Sequence, residues 1–155
     1  MVTLINDRDP IDEVENFDVV MLGTTIYGEM QYGFQKRIAL KYPYVEQENR
    51  VQPYGDLRRL GTRLTFNVKG DPIITLLYIC AKVGKKKYSL HKDKFIHALQ
   101  TANKEFKGMN VLTTAIGTMK WEGGLTFEES RLIIEENTPE LNIYLFTKEQ
   151  KELIW

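Results

Sequence analysis

The sequence predicts an α/β fold, a central and largely parallel sheet with helices on its faces, and three observations predict it. The C-terminal half alternates strand-like and helix-like segments. The run Ile73-Ile74-Thr75-Leu76-Leu77-Tyr78-Ile79-Cys80 is almost continuously apolar, as expected of a strand covered on both faces. Glycines gather in two stretches, each lying between a strand-like and a helix-like segment, where open sheets of this class bind ligands.

Each element follows from its local pattern. Residues 2–5 are a short β-prone run, and Phe17-Asp18-Val19-Val20-Met21-Leu22 is an apolar, β-branched run that stops at Gly23. From Phe34 through Tyr42, apolar Phe34, Ile38 and Leu40 alternate with Lys36, Arg37 and Lys41, which suits a helix ended by Pro43. Residues 44–60 show no clear period and carry Pro53 and Gly55, so they read as a long surface connection. Residues 62–68 and 73–80 are expected as strands joined by the turn Lys69-Gly70-Asp71-Pro72. Phe95, Leu99, Ala102 and Phe106 recur at helical spacing between about residues 90 and 106. A strand over 110–116, a helix over 126–137 and a strand over 141–146 complete the series.

The chain has 155 residues, of which 43% are hydrophobic, enough for one sizeable core; a single domain over residues 1–155 is expected. Lys plus Arg and Asp plus Glu each count 21, so the field lacks the single sign that steers a protein to nucleic acid or a membrane surface. Any anionic ligand must be held locally. The lone Cys80 reads as a small core hydrophobe, which removes disulfides and a cysteine zinc site. The first residues lack a basic-then-apolar secretory pattern, no stretch approaches a membrane span, and a cytoplasmic protein is expected.

The first glycine stretch reads Gly23-Thr24-Thr25-Ile26-Tyr27-Gly28-Glu29-Met30-Gln31-Tyr32-Gly33. Glycines there allow positive φ and close backbone approach, and the N–H groups of a following helix start can bind phosphate. Turn geometry alone also explains them. The second reads Ile116-Gly117-Thr118-Met119-Lys120-Trp121-Glu122-Gly123-Gly124-Leu125, and Thr126-Phe127-Glu128-Glu129 after it can form a capping box. Its glycines, hydroxyl, lysine and tryptophan beside a helix N-terminus favour a binding role. Two such loops can close around a diphosphate.

The string from Gly28 to Pro43 resembles the corresponding segment of small bacterial and phage macro domains, with Gly28, Met30, Gly33, Ile38, Lys41, Tyr42 and Pro43 as the matching positions. Ala115-Ile116-Gly117-Thr118 followed by Gly123-Gly124 is similar to a second loop of that family. The resemblance implies a three-layer macro-like fold and a cleft for ADP-ribose or a related nucleotide. It also implies an early aspartate that binds adenine. Asp9, followed by Pro10 and Ile11, is preferred over Asp7 and Asp12, with a turn or helix-cap carboxylate as its alternative role. The ligand-binding set is then Asp9 and Ile11; Gly23, Thr24 and Thr25; Gly28, Met30, Gln31, Tyr32, Gly33 and Phe34; and Ile116, Gly117, Thr118, Met119, Lys120 and Trp121.

Three departures bear on chemistry. The family's asparagine beside the distal ribose, which supports hydrolysis, falls on Thr25, and Gln31 and Met119 replace glycines of the two loops. A hydroxyl does not supply the separate donor and acceptor of an amide. Binding without efficient turnover is therefore expected, with Thr25 as the one candidate catalytic residue. The alternatives are an ADP-ribosyl hydrolase or ADP-ribose 1″-phosphate phosphatase, and a non-catalytic module for a protein partner whose pocket Gln31, Tyr32, Met119 and Trp121 close. No metal or cofactor is expected. His91 and His97 lack ligand spacing to other groups, Lys85-Lys86-Lys87 suits a charged turn, and Glu128, Glu129, Glu135 and Glu136 suit a solvated helix face. The compact motif suggests a phage or bacterial source.

Overall fold

The structure is a computed structural model that describes residues 1–82, 88–119 and 124–147. The described residues run β1 (Val2–Ile5), β2 (Val19–Thr25), α1 (Gly33–Lys41), α2 (Pro43–Arg50), β3 (Arg63–Phe66), β4 (Ile73–Lys82), β5 (Tyr88–Leu90), α3 (Lys92–Glu105), β6 (Asn110–Thr114), α4 (Phe127–Asn137) and β7 (Asn142–Phe146). The strands form one sheet in the order β1-β7-β6-β2-β4-β3, with β5 also paired to β4. The five strands from β1 through β4 in that order are mutually parallel, whereas β3 and β5 run antiparallel to β4. The expected mixed, largely parallel sheet with helices on both faces is observed.

Period-2 alternation divides the strands between two cores. On one face Val19, Met21, Leu77, Ile79, Val111 and Leu145 meet α3 and α4, with Phe95, Ala98, Leu99 and Ala102 forming the buried stripe of α3. On the other, Val20, Leu22, Ile74, Leu76 and Leu112 meet Phe34 and Ile38 of α1 and Val45 of α2. The unbroken apolar run of β4 follows from this two-sided cover, with Cys80 fully buried.

The structure departs from the expected elements at three places. Residues 44–60 are not a continuous surface connection: they begin with α2, for which Pro43 supplies the first turn, and include a 3-10 turn at Leu57–Arg59. Proline therefore separates two helices here by starting the second. β2 does not stop at Gly23 but continues to Thr25, because Gly23 lies where Ile116 and Ile79 crowd the sheet and a Cβ would stand 2.7 Å from Ile116 Cγ2. β5 was not expected: three residues complete the outer edge of β4 beyond the point where β3 stops pairing.

Candidate functional site at the carboxyl ends of β2 and β6

β2 and β6 are neighbours in the sheet, but the chain leaves them toward opposite faces, β2 to α1 and β6 to α4. Two adjacent parallel strands with diverging exits open a crevice beyond their carboxyl ends. Both glycine loops lie at this switch point. Residues 26–32 follow β2, and residues 115–126 follow β6.

The first loop carries Gly28 at φ +79° and enters α1 through Gly33 at φ +61°, conformations that side chains rarely adopt. Tyr32 occupies the N-cap position with no side-chain cap. The start of α1 thus keeps the positive end of its dipole without a capping side chain of its own. Thr24 and Gln35 tie this start to the sheet: the Thr24 hydroxyl donates to Gln35 Oε1 at 2.9 Å, both residues being buried.

The second loop is closed by its own residues. Gly117, at φ +86°, accepts from Leu125 N at 2.8 Å, and the Leu125 side chain fills the place a Cβ of residue 117 would take. Ser130 of α4 donates to the Ile116 carbonyl, and the Thr118 hydroxyl donates to the Ala115 carbonyl at 2.7 Å. The expected capping box is present: Thr126 Oγ1 accepts from Glu129 N, and the Glu129 carboxylate accepts from Thr126 N. The Thr126 N–H, and after it the Thr126 hydroxyl, hold the Glu129 carboxyl below the usual carboxylate range. The helix after the second loop is accordingly capped from within, and the helix after the first is not.

The individual side chains divide into groups. Gly23 packs against Ile116, and Thr24 is bonded to Gln35 of α1. Thr25 is 3% exposed, sits where the β2–β4 register shifts, and its Oγ1 accepts from Tyr27 N at 3.2 Å. Met30 and Phe34 are buried in the core on the α1 side of the sheet. Gln31 and Tyr32 are exposed, and with Met30, Lys36, Glu46 and Arg50 they border an open depression of about 430 Å³ between the loop and α2. Met119 is half-buried; Lys120, Trp121 and Gly123 lie outside the described residues, as do Lys85, Lys86 and Lys87.

Asp9 caps the 3-10 turn Pro10–Asp12, with Oδ1 accepting from Ile11 N at 3.1 Å and from Arg37 Nη1 at 2.8 Å. It therefore joins the segment after β1 to α1, and Ile11 packs against the α1 side of the core. Among the described residues no group of three metal-ligating side chains occurs, and no helix is long and apolar enough to cross a membrane.

Sequence reasoning missed the residues that hold the first loop from behind. Glu46 Oε2 accepts from Met30 N at 3.3 Å, the Ile26 carbonyl accepts from Gly55 N and Arg59 Nη1 at 2.9 Å each, and buried Asn49 accepts from Tyr78 Oη at 2.6 Å. The available signal was Pro43 three residues before Glu46, a helix-start pattern inside an otherwise polar stretch. A second missed group is the aromatic rim: Tyr27 lies 5.2 Å from Tyr54 and 5.8 Å from Tyr88, whose hydroxyl donates to Glu29. Burial, and then the Glu29 carboxylate, push the Tyr88 hydroxyl up to about 12.

These features define a three-layer α/β protein whose strands β2 and β6 are followed by glycine-containing loops at the switch point of its sheet. No family model matches the sequence, and no curated protein matches it. Solved structures match over nearly its whole length. A protein of unknown function from Bacteroides thetaiotaomicron is 17% identical with a TM-score of 0.75, the match covering 94% of this chain and 98% of that one. A macrodomain protein from Streptomyces coelicolor is 14% identical with a TM-score of 0.70, over 94% and 98%. Thermosipho africanus DarTG in complex with ADP-ribose is 12% identical with a TM-score of 0.74, over 99% of this chain and 43% of that one. The fold of this chain is the macrodomain fold.

Proposed function

We propose that the chain binds ADP-ribose or a closely related nucleotide in the crevice beyond β2 and β6, with the diphosphate against the start of α1 and without efficient turnover. The observation that carries this reading is the asymmetry between the loops. The second loop's helix is capped by its own Thr126 and Glu129, while α1 begins at Gly33, after a loop with Gly28 also at positive φ, and its N-cap Tyr32 makes no side-chain cap bond. An anion of the ligand supplies the missing cap. Support comes also from the shared fold, since the Thermosipho africanus DarTG structure is a complex with ADP-ribose.

Thr25 favours binding over hydrolysis: it is buried, and its oxygen already accepts from a backbone N–H of its own loop. The closed-pocket reading draws no support from Gln31 and Tyr32, which are exposed on the α2 side of the loop. Titration calorimetry with ADP-ribose, ADP and AMP tests the proposal. Saturable binding of ADP-ribose, weaker for AMP, is the expected result, and no heat at millimolar ADP-ribose overturns it.

A further inference from the structure

The first loop has little of its own to fix its shape. Residues 26–32 contain no regular element, and Tyr27 N is bonded locally to Thr25 Oγ1. Its order is imposed from outside, on one side by β4 and β5 through Lys82 N to Tyr27 Oη and Tyr88 Oη to Glu29, and on the other by the segment that begins with α2. At the start of the loop the Ile26 carbonyl receives Gly55 N and Arg59 Nη1, and the Arg59 guanidinium lies 4.2 Å from the centre of the Tyr78 ring. In the middle, Gly28 rests on α2 so closely that a Cβ would stand 3.2 Å from Arg50 Cα and 3.4 Å from the Asn49 carbonyl. Near its end, the Met30 N–H is held by the Glu46 carboxylate, which Arg50 pairs at 3.5 Å.

Of these contacts, only the last joins a charged group to a loop amide three residues before the start of α1. Hydrogen bonds with one ionised partner are about twice as strong as neutral ones. We infer that Glu46 is a positioning residue for the nucleotide site: its carboxylate anchors Met30 N–H and so sets the path by which residues 31–32 deliver the chain to the uncapped start of α1. The inference rests on the proposed binding reading for its effect on affinity, but the anchoring itself is a property of the unliganded protein. Glu46 touches no ligand in this scheme. It acts from the far side of the loop, across the depression that also contains Lys36 and Arg50.

The test uses the full chain and three forms: wild type, E46A and E46Q. Glu46 is partly exposed, its side chain retaining 27% of its accessible surface, so both variants should fold, as a thermal melt will verify. Amide hydrogen exchange at Met30, measured by NMR without ligand, reads the anchor directly. ADP-ribose affinity by calorimetry reads its consequence. Losing a hydrogen bond to a charged group predicts exchange at Met30 faster by about tenfold or more in E46A, with affinity weaker by a similar factor. Glutamine keeps an oxygen acceptor but not the charge, so E46Q should fall between E46A and wild type in both. Unchanged Met30 exchange in E46A overturns the inference, and so does faster exchange with unchanged affinity. If the wild type binds no nucleotide, the proposed function fails, whereas the exchange comparison still decides whether Glu46 anchors the loop.

Discussion

Gly117→Ala is the sharpest test of how the second loop is built. Two separate penalties apply. Alanine at φ +86° meets the left-handed backbone cost of roughly 1–2 kcal/mol, partly offset by about 0.5 kcal/mol from the stiffer unfolded chain. The new Cβ would also stand 2.8 Å from Leu125 Cδ1, 3.2 Å from Leu90 Cδ1 and 3.3 Å from Leu125 Cγ. The Leu125 methyl can swing away, but Leu90 and the Leu125 branch point close the same space, so an overpacking cost of about 1–2 kcal/mol is expected. The total is about 1.5–3.5 kcal/mol, which at about 2–4 °C per kcal/mol for a chain of this length lowers Tm by roughly 3–14 °C.

Gly108→Ala is the matched control. Gly108 has nearly the same φ, +82°, and nothing within 4 Å of the added atom, so it meets the backbone cost alone and should lose only about 2–5 °C. Thermal melts of both variants, with urea midpoints as a check, provide the comparison. Equal losses in the two variants would refute the packing argument. In Gly117→Ala the binding of ADP-ribose should also weaken, because the carbonyl that Leu125 N now closes upon must move.

Thr126→Ala removes one half of the capping box and should lower stability by about 1 kcal/mol, read as a Tm shift of about 2–4 °C, while leaving ADP-ribose affinity nearly unchanged. Gln31→Glu adds a negative charge beside the start of α1 at an exposed position; stability should hold, and ADP-ribose should bind about two- to fivefold more weakly by calorimetry, with the difference shrinking in high salt. Asp9→Asn keeps a turn cap but loses the charge that Arg37 pairs; if Asp9 also receives the adenine amino group, ADP-ribose affinity should fall while ribose 5-phosphate affinity should not. For Tyr88 the folded-state value lies above the unfolded one, so its contribution is complete below pH 10 and is lost as pH rises toward 12; melts across that range should decline less steeply for Tyr88→Phe.

The layered fold was readable because it depends on patterns that repeat over several residues. The stripe Phe95, Leu99, Ala102 and the unbroken run of β4 report which faces are covered, and the structure covers those faces. What could not be read shares a different property. α2 shows a mostly polar sequence because it buries only Val45 and Asn49, so no stripe announces it, and β5 is three residues long. The site behaved likewise. Glycine positions marked both loops, but the groups that shape the first one, Glu46, Asn49 and Arg59, act from a segment with no periodic signal. Asp9 illustrates the remaining difficulty: its turn-capping role was foreseeable from Asp-Pro-Ile, whereas its pairing with Arg37 joins positions 28 apart and depends on where α1 packs.

The difference between the two loops also bears on the proposed separation of binding from turnover. By the family resemblance, hydrolysis would need a side chain beside the distal ribose whose donor and acceptor are free to act. At the end of β2 the side chain is Thr25, buried at the register shift and directed into its own loop, where its oxygen receives Tyr27 N. Freeing that oxygen would unfasten the first residues of the loop, the same loop that Glu46, Gly55 and Arg59 hold in place. The loop path on which the proposed anion site depends is thus maintained by contacts that occupy Thr25. Thr25→Asn would offer an amide at that position but would have to displace the Tyr27 bond to use it. The variant should therefore gain hydrolysis of ADP-ribosylated protein only together with faster amide exchange at Tyr27. Product release from Thr25→Asn with Tyr27 exchange unchanged would show that the two roles are independent.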